Sequence, residues 1–171
     1  MAPTPESLPC DSIDRIEVTK STRTLRVLCV GGGERSWPVA LGREPVGPKR
    51  EAGDSRTPEG EYHLRSRGWE SRFHRFLIMD YPSREDAAAG LRAGLLSLRS
   101  YGQILDAHDR SVLPPQNTAL GGLVGFHGEG ERWNGDSEYL NWTNGCIAMT
   151  DEQIDFLSAH ATWGTLVTIL P

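Results

Sequence analysis

Three short runs near the start of the chain restrict its fold more than any other feature, because apolar side chains recur at every second position. Ile16 and Val18, then Leu25 and Val27, then Trp37, Val39 and Leu41 alternate with polar neighbours. That period of two belongs to strands with one buried face. Between the runs lie "STRT" and "GGGE", turn sequences in which glycine accepts the positive φ of a tight hairpin. An antiparallel meander is therefore predicted. The triple glycine is not a phosphate loop, since neither G-x-x-x-x-G-K-[ST] nor G-x-G-x-x-G stands between a strand and a helix. With 19 Gly and 11 Pro in 171 residues, one mainly β domain is expected.

Further along, Gly42 to Tyr62 is rich in Gly, Pro and charge and reads as a long ordered loop, a length often tied to function. "EYHLRSR" and "RFLIMDY" read as two more strands. His63 and His74 fall within them without a second ligand at helical spacing, so no metal site is predicted. Residues 83–110 change to Ala and Leu, and two helices are expected there, Ser83 capping the first ahead of Glu85 and Asp86. Leu98, Tyr101 and Leu105 are expected to form the buried face of the second. This helical insert is either a lid or a packed element. "LVGFHG" returns as a short strand ending at His127, and a polar, glycine-rich loop follows. Thr150 and Gln153 form a capping box for a last helix with Ile154, Leu157 and Ala161 on its apolar stripe. "TLVTILP" closes as a strand.

A formal net charge of -5 argues against general binding to nucleic acid. No window approaches the eighteen or so apolar residues of a membrane helix, and the first thirty residues lack the order of a signal peptide. The chain as written therefore reads as soluble, with residues 1–12 a loose, Pro-rich leader; whether an export signal preceded it stays open.

Cys10, Cys29 and Cys146 are odd in number and contain no C-x-x-C pair, so neither a disulfide framework nor a cysteine zinc site is expected. Cys10 falls in the leader, and Cys29, on the alternating face of Leu25 and Val27, reads as a small core residue. Cys146 stands apart in "NWTNGCIAMT". A thiol becomes a nucleophile when a base takes its proton, and histidine is the usual partner. His127 ends an apolar strand and is followed by Gly128, whereas Cys146 is preceded by Gly145, where a substrate carbonyl can approach the backbone. Amides around Gly145 and Cys146 would form the oxyanion site that acyl transfer requires. The alternative is a structural cysteine and an unrelated loop histidine.

"GFHGEG" followed by "NWTNGCIAMTDEQI" resembles the signature of the YkuD-type L,D-transpeptidases, a His-Gly strand end and then [ST]-x-G-C. "GPKREAGDSRTPEGEY", "FLIMDYP" and "PPQNTALGGLVGFHG" resemble further family segments in the expected order, so the likeness spans about residues 13–170. Where the commoner signature has His before Gly-Cys and Arg two residues after Cys, this chain has Asn144 and Ala148. "W-T-x-G-C-I-A" looks like a branch of the family. No role of the missing His or Arg is carried over.

The resemblance implies a β-rich sandwich or barrel, residues 13–171 being the catalytic domain with 83–110 inserted. It implies that Cys146 attacks the carbonyl joining the diamino acid at position three of a peptidoglycan stem tetrapeptide to D-Ala at position four. His127, oriented through the Gly128 backbone, would act as base and acid, and Gly145 would supply oxyanion backbone. A thioester acyl-enzyme would pass to an amine to form a 3→3 cross-link. Alternatively water resolves it, giving an L,D-carboxypeptidase or endopeptidase; a catalytically silent wall-binding module is the third reading. Tyr81, Trp142, Thr143, Asn144 and Arg56 are candidate substrate contacts, although Trp142 reads equally as a core aromatic and Arg56, with Thr57 and Glu59, as part of a structural turn. No metal or organic cofactor is implied. Carbapenem-type β-lactams are expected inhibitors, and the substrate implies the cell envelope or periplasm.

Overall fold

The computed structural model describes residues 3–66, 68–130 and 141–171. The predicted meander forms: β1 (Ile13–Thr19), β2 (Thr24–Cys29) and β3 (Glu34–Pro38) pair antiparallel in sequence order. Ile16, Val18, Leu25 and Val27 are fully buried, and removing such side chains from water contributes about 1.5–3 kcal/mol each. β4 (Gly60–His63) and the last strand, β9 (Leu166–Leu170), extend this sheet in the order β3-β2-β1-β9-β4, with β9 parallel to β1. A second sheet has the order β5-β6-β7-β8: β5 (Trp69–Ser71), β6 (His74–Ile78), β7 (Gly125–His127) and β8 (Ile147–Ala148). One apolar cluster joins both sheets, with Leu77, Met79, Phe126 and Ile147 of the second region packed into the core of the first. The fold is thus mainly β with three helices, as expected.

α1 (Arg84–Arg92) begins at a capping box of Ser83 and Asp86, and α3 (Asp151–His160) at one of Thr150 and Gln153. The cap at Ser83 and the box at Thr150 were readable because such bonds need only residues three apart; the reciprocal bond from the Ser83 amide to Asp86 was not anticipated. In α2 (Leu98–Asp109) the expected face is corrected in part: Tyr101 packs on the core and Ile104 and Ala107 turn inward, while Leu98 is 77% exposed. Ser97, which accepts from the Ser100 amide, caps this helix. Leu98 follows that cap directly, and the helix meets the core one turn later.

The leader departs most from expectation. Cys10 and Cys29 form a disulfide, with Cα atoms 5.3 Å apart, so neither is the isolated thiol that the sequence suggested. A 3-10 turn at Pro5–Ser7 leads into this segment, and the Arg35 guanidinium donates to the Glu6 and Leu8 carbonyls at 3.0 and 3.1 Å. Gly33 is part of the same contact, because a Cβ there would overlap the Pro9 carbonyl.

The Gly42–Tyr62 loop is ordered by two buried lysines. Lys20 donates to the Gly47 and Thr57 carbonyls and to Glu59, and Lys49 to Asp54 and the Glu51 carbonyl. Asp54 also accepts from the amides of Arg50, Glu51 and Arg56. Burial acts to raise its pKa, but these bonds, that from Lys49 foremost, leave the carboxyl below its usual range. The polar loop expected after His127 lies largely in residues 131–140, outside the described residues.

Candidate active site

β7 and β8 run parallel, with Phe126 opposite Ile147 and His127 opposite Ala148. Side chains alternate faces along a strand, so Cys146, two residues before Ala148, projects on the same face as His127, as a diagonal neighbour. Both line one cleft of about 850 Å³. Two positions far apart in the sequence are thereby set side by side by four residues of parallel pairing.

His127 is 4% exposed, and its Nδ1 lies 2.7 Å from the Gly128 carbonyl. A carbonyl can only accept, so Nδ1 carries the proton and Nε2 is left with its lone pair. The ring stacks on Phe73, with centroids 4.6 Å apart and planes at 22°, and meets the edge of Trp142 at 5.4 Å. Burial lowers its pKa, opposed by the Gly128 carbonyl and reinforced by the nearby Arg72 charge. Near neutral pH the imidazole is an uncharged acceptor.

The Cys146 thiol is partly buried and donates to the Leu123 carbonyl at 3.3 Å. Burial pushes its pKa up to about 11, against the lowering effects of the Gly125 backbone and the Lys49 charge. The resting pair is therefore neutral thiol and neutral imidazole rather than thiolate and imidazolium.

Thr143 shapes the loop that carries the thiol. Its Oγ1 donates to the Cys146 carbonyl at 2.7 Å and accepts from the Gly145 amide at 3.1 Å. The expectation for Gly145 is corrected in this respect: its amide, expected to face an oxyanion, is already engaged by Thr143. Gly145 is required for a different reason, since it has φ +141° and a Cβ would lie 2.7 Å from the Arg56 carbonyl. Gly42 approaches from the other side, with its Cβ position 3.2 Å from the Gly145 Cα. Asn144 is exposed and accepts from Arg43 Nη1.

The YkuD family, described as the L,D-transpeptidase catalytic domain, matches residues 13–169. The chain belongs to this family. Among curated proteins none matches significantly. Solved structures similar to this YkuD chain include the helical cell shape determining protein Pgp2 of Campylobacter jejuni, 20% identical, covering 93% of this chain and 48% of its own, with TM-score 0.59. Another is Bd1075 of Bdellovibrio bacteriovorus, 18% identical over 93% of this chain and 48% of that one, TM-score 0.51. A third is an L,D-transpeptidase from Mycobacterium smegmatis, 13% identical over 91% and 58%, TM-score 0.52. These likenesses concern the fold, and the chain spans about half the length of the structures it matches.

Within the YkuD domain the other predicted contacts separate. Trp142, Thr143 and Asn144 line the cleft with the cysteine; Trp142 is 8% exposed and serves as wall and packing at once. Tyr81 is corrected: it is fully buried, with its hydroxyl donating to the Leu120 carbonyl, and is not part of the lining. Arg56 meets the site through its backbone carbonyl at Gly145, and its side chain does not line the cleft. Of the two readings of 83–110, the packed element fits, since Ala87, Leu96 and Ile104 join the core and none of these residues lines the cleft. Sequence reasoning missed Trp69, Phe73 and Phe76, three aromatics that line the cleft from the β5–β6 hairpin. Their spacing in "WESRFHRF" was the available signal. It was obscured because Phe73 sits in the turn between two strands.

Proposed function

We propose that the protein is a peptidoglycan L,D-transpeptidase using Cys146 as nucleophile and His127 as base and acid. The observation that supports this reading most is that a half-buried thiol shares one cleft with an imidazole whose Nδ1 is fixed on Gly128, so that Nε2 can accept a proton. On attack, Sγ bonds to the carbonyl carbon of stem residue three and its proton passes to His127 Nε2. The Cys146 amide donates to the developing oxyanion. As the C–N bond to D-Ala breaks, Nε2 returns the proton to the departing amine, leaving a thioester. An amine of a second stem peptide then attacks the thioester carbonyl, His127 takes its proton and delivers it to the leaving sulfur, and a 3→3 cross-link remains. Water in place of the amine gives the tripeptide.

Because the substrate lies outside the cytoplasmic membrane, the reading implies an envelope location. The Cys10–Cys29 disulfide supports it, since such bonds persist in oxidising compartments. Among the described residues no helix is long and apolar enough to cross a membrane.

The test is incubation with disaccharide-tetrapeptide, with intact mass and products followed together. A thioester adduct on Cys146 and cross-linked dimers are expected, and Cys146→Ala should abolish both. Tripeptide without dimers would favour the hydrolase; an inert wild type that still binds wall fragments would favour the binding module. Carbapenem acylation should give a covalent adduct lost in the same variant. With the thiol pKa up from 9.0 to about 11, alkylation of Cys146 at neutral pH should run roughly 100-fold slower than for an ordinary thiol and keep rising to about pH 11.

A further inference from the structure

The cleft has a charge pattern that the acyl-transfer chemistry alone does not require. Arg43, Lys49 and Arg72 line it, and among the described residues no Asp or Glu does, in a chain of formal net charge -5. Lys49 is already engaged by Asp54. The two arginines are held by neutral groups instead: Arg43 by the Asn144 side chain, and Arg72 by the face of Phe73, with Cζ 4.7 Å from the ring centroid. Among the described residues neither forms a salt bridge. Their guanidinium forks retain N–H donors suited to a carboxylate.

Their places relative to the catalytic pair differ. Arg43 stands beside the loop of the nucleophile, its side chain donating to Asn144, two residues from Cys146. Arg72 stands on the side of the base, because the ring it covers is the one stacked on His127 at 4.6 Å. Ala148, the position of an arginine in the commoner signature, is fully buried and bridged to Ala40, so no cation at that position serves a substrate.

Building on the proposed acyl transfer, we infer that Arg72 binds the α-carboxylate of the departing fourth residue, and Arg43 a carboxylate on the retained acyl half. The leaving amine has to lie within reach of His127 Nε2 to receive its proton. In a C-terminal residue the carboxylate is one carbon removed from that amine, which brings it toward the Phe73–Arg72 side. The stacked contact on Phe73 holds the guanidinium there. An enzyme built this way selects stems that end at residue four, because a stem continued beyond that residue carries an amide where Arg72 needs a charge.

Equilibrium binding to Cys146→Ala protein, which has no turnover, tests this with a free-acid tetrapeptide and its C-terminal amide. The amide should bind about tenfold more weakly, Arg72→Ala should erase the difference by weakening the acid alone, and Arg72→Lys should restore part of it. An Arg43→Ala change should instead remove discrimination against peptides amidated on the retained half. Equal binding of acid and amide to the parent, discrimination that survives Arg72→Ala, or no binding of either peptide would each overturn the inference. Should Arg72→Ala fail to fold, the acid and amide comparison on the parent decides alone. Wild-type turnover of the same tetrapeptide is measured in parallel: turnover indifferent to C-terminal amidation sinks the arginine assignment and keeps the acyl-transfer reading, whereas no turnover and no adduct sinks that reading as well.

Discussion

In the five-stranded sheet β1 and β2 are seven and six residues long and bury an unbroken apolar face. In the four-stranded sheet the strands bearing His127 and flanking Cys146 have three and two residues, and polar groups do what length does elsewhere. Thr143 ties the cysteine loop at two points, and Asp151 Oδ1 accepts from the Glu129 and Gly130 amides just beyond His127. Long strands draw on the hydrophobic effect, which is strong and tolerant of small shifts; short ones are fixed by directional bonds, which hold a few atoms closely at little gain in stability. On the proposed function, the chemistry falls to the second sheet, while the first contributes stability alone.

Substitutions in each region should separate those two properties. The largest effect is expected from Leu25→Ala, which empties a fully buried site in the first sheet and should cost about 3–4 kcal/mol in denaturant unfolding, with kcat of the folded fraction unchanged. A large fall in kcat at low temperature would break the contrast. Gly145→Ala should act the other way, displacing the loop from the Arg56 carbonyl and lowering kcat about 100-fold, the usual result of moving a reacting group by about 1 Å. Cys10→Ser returns to the first sheet and should lower unfolding free energy by about 2–3 kcal/mol, again with peptide turnover retained. Smallest is Thr143→Val, similar in shape but without the two loop bonds, for which a fall of about tenfold in kcat is expected by single-turnover assay.

What could be read from the sequence follows the same division. The alternation at Ile16, Val18, Leu25 and Val27, the cap at Ser83 and the capping box at Thr150 are local signals, and they mark real elements. The pairing of β9 with β1, the three-residue β5 and the Cys10–Cys29 bond are not local: each depends on which distant segment lies alongside. Cys29 was correctly placed on a buried face, but it takes the Arg35 contacts to Glu6 and Leu8 and the approach of Gly33 to Pro9 to carry Cys10 to it. At the site, Cys146 and His127 stood out as residue types. Phe73 did not, because its importance lies in a stack across the sheet on His127 and beneath Arg72. Tyr81 was misread since a tyrosine at a strand end looks like a pocket residue until its hydroxyl is seen to be satisfied by Leu120.

The disulfide has a practical corollary at the bench. With Cys10 and Cys29 joined to each other, every free sulfhydryl in an intact sample belongs to Cys146. A thiol-reactive mass tag therefore titrates competent sites: label per chain, measured before and after exposure to peptide or β-lactam, reads occupancy directly, and a count above one per chain reports that the Cys10–Cys29 bond has been reduced.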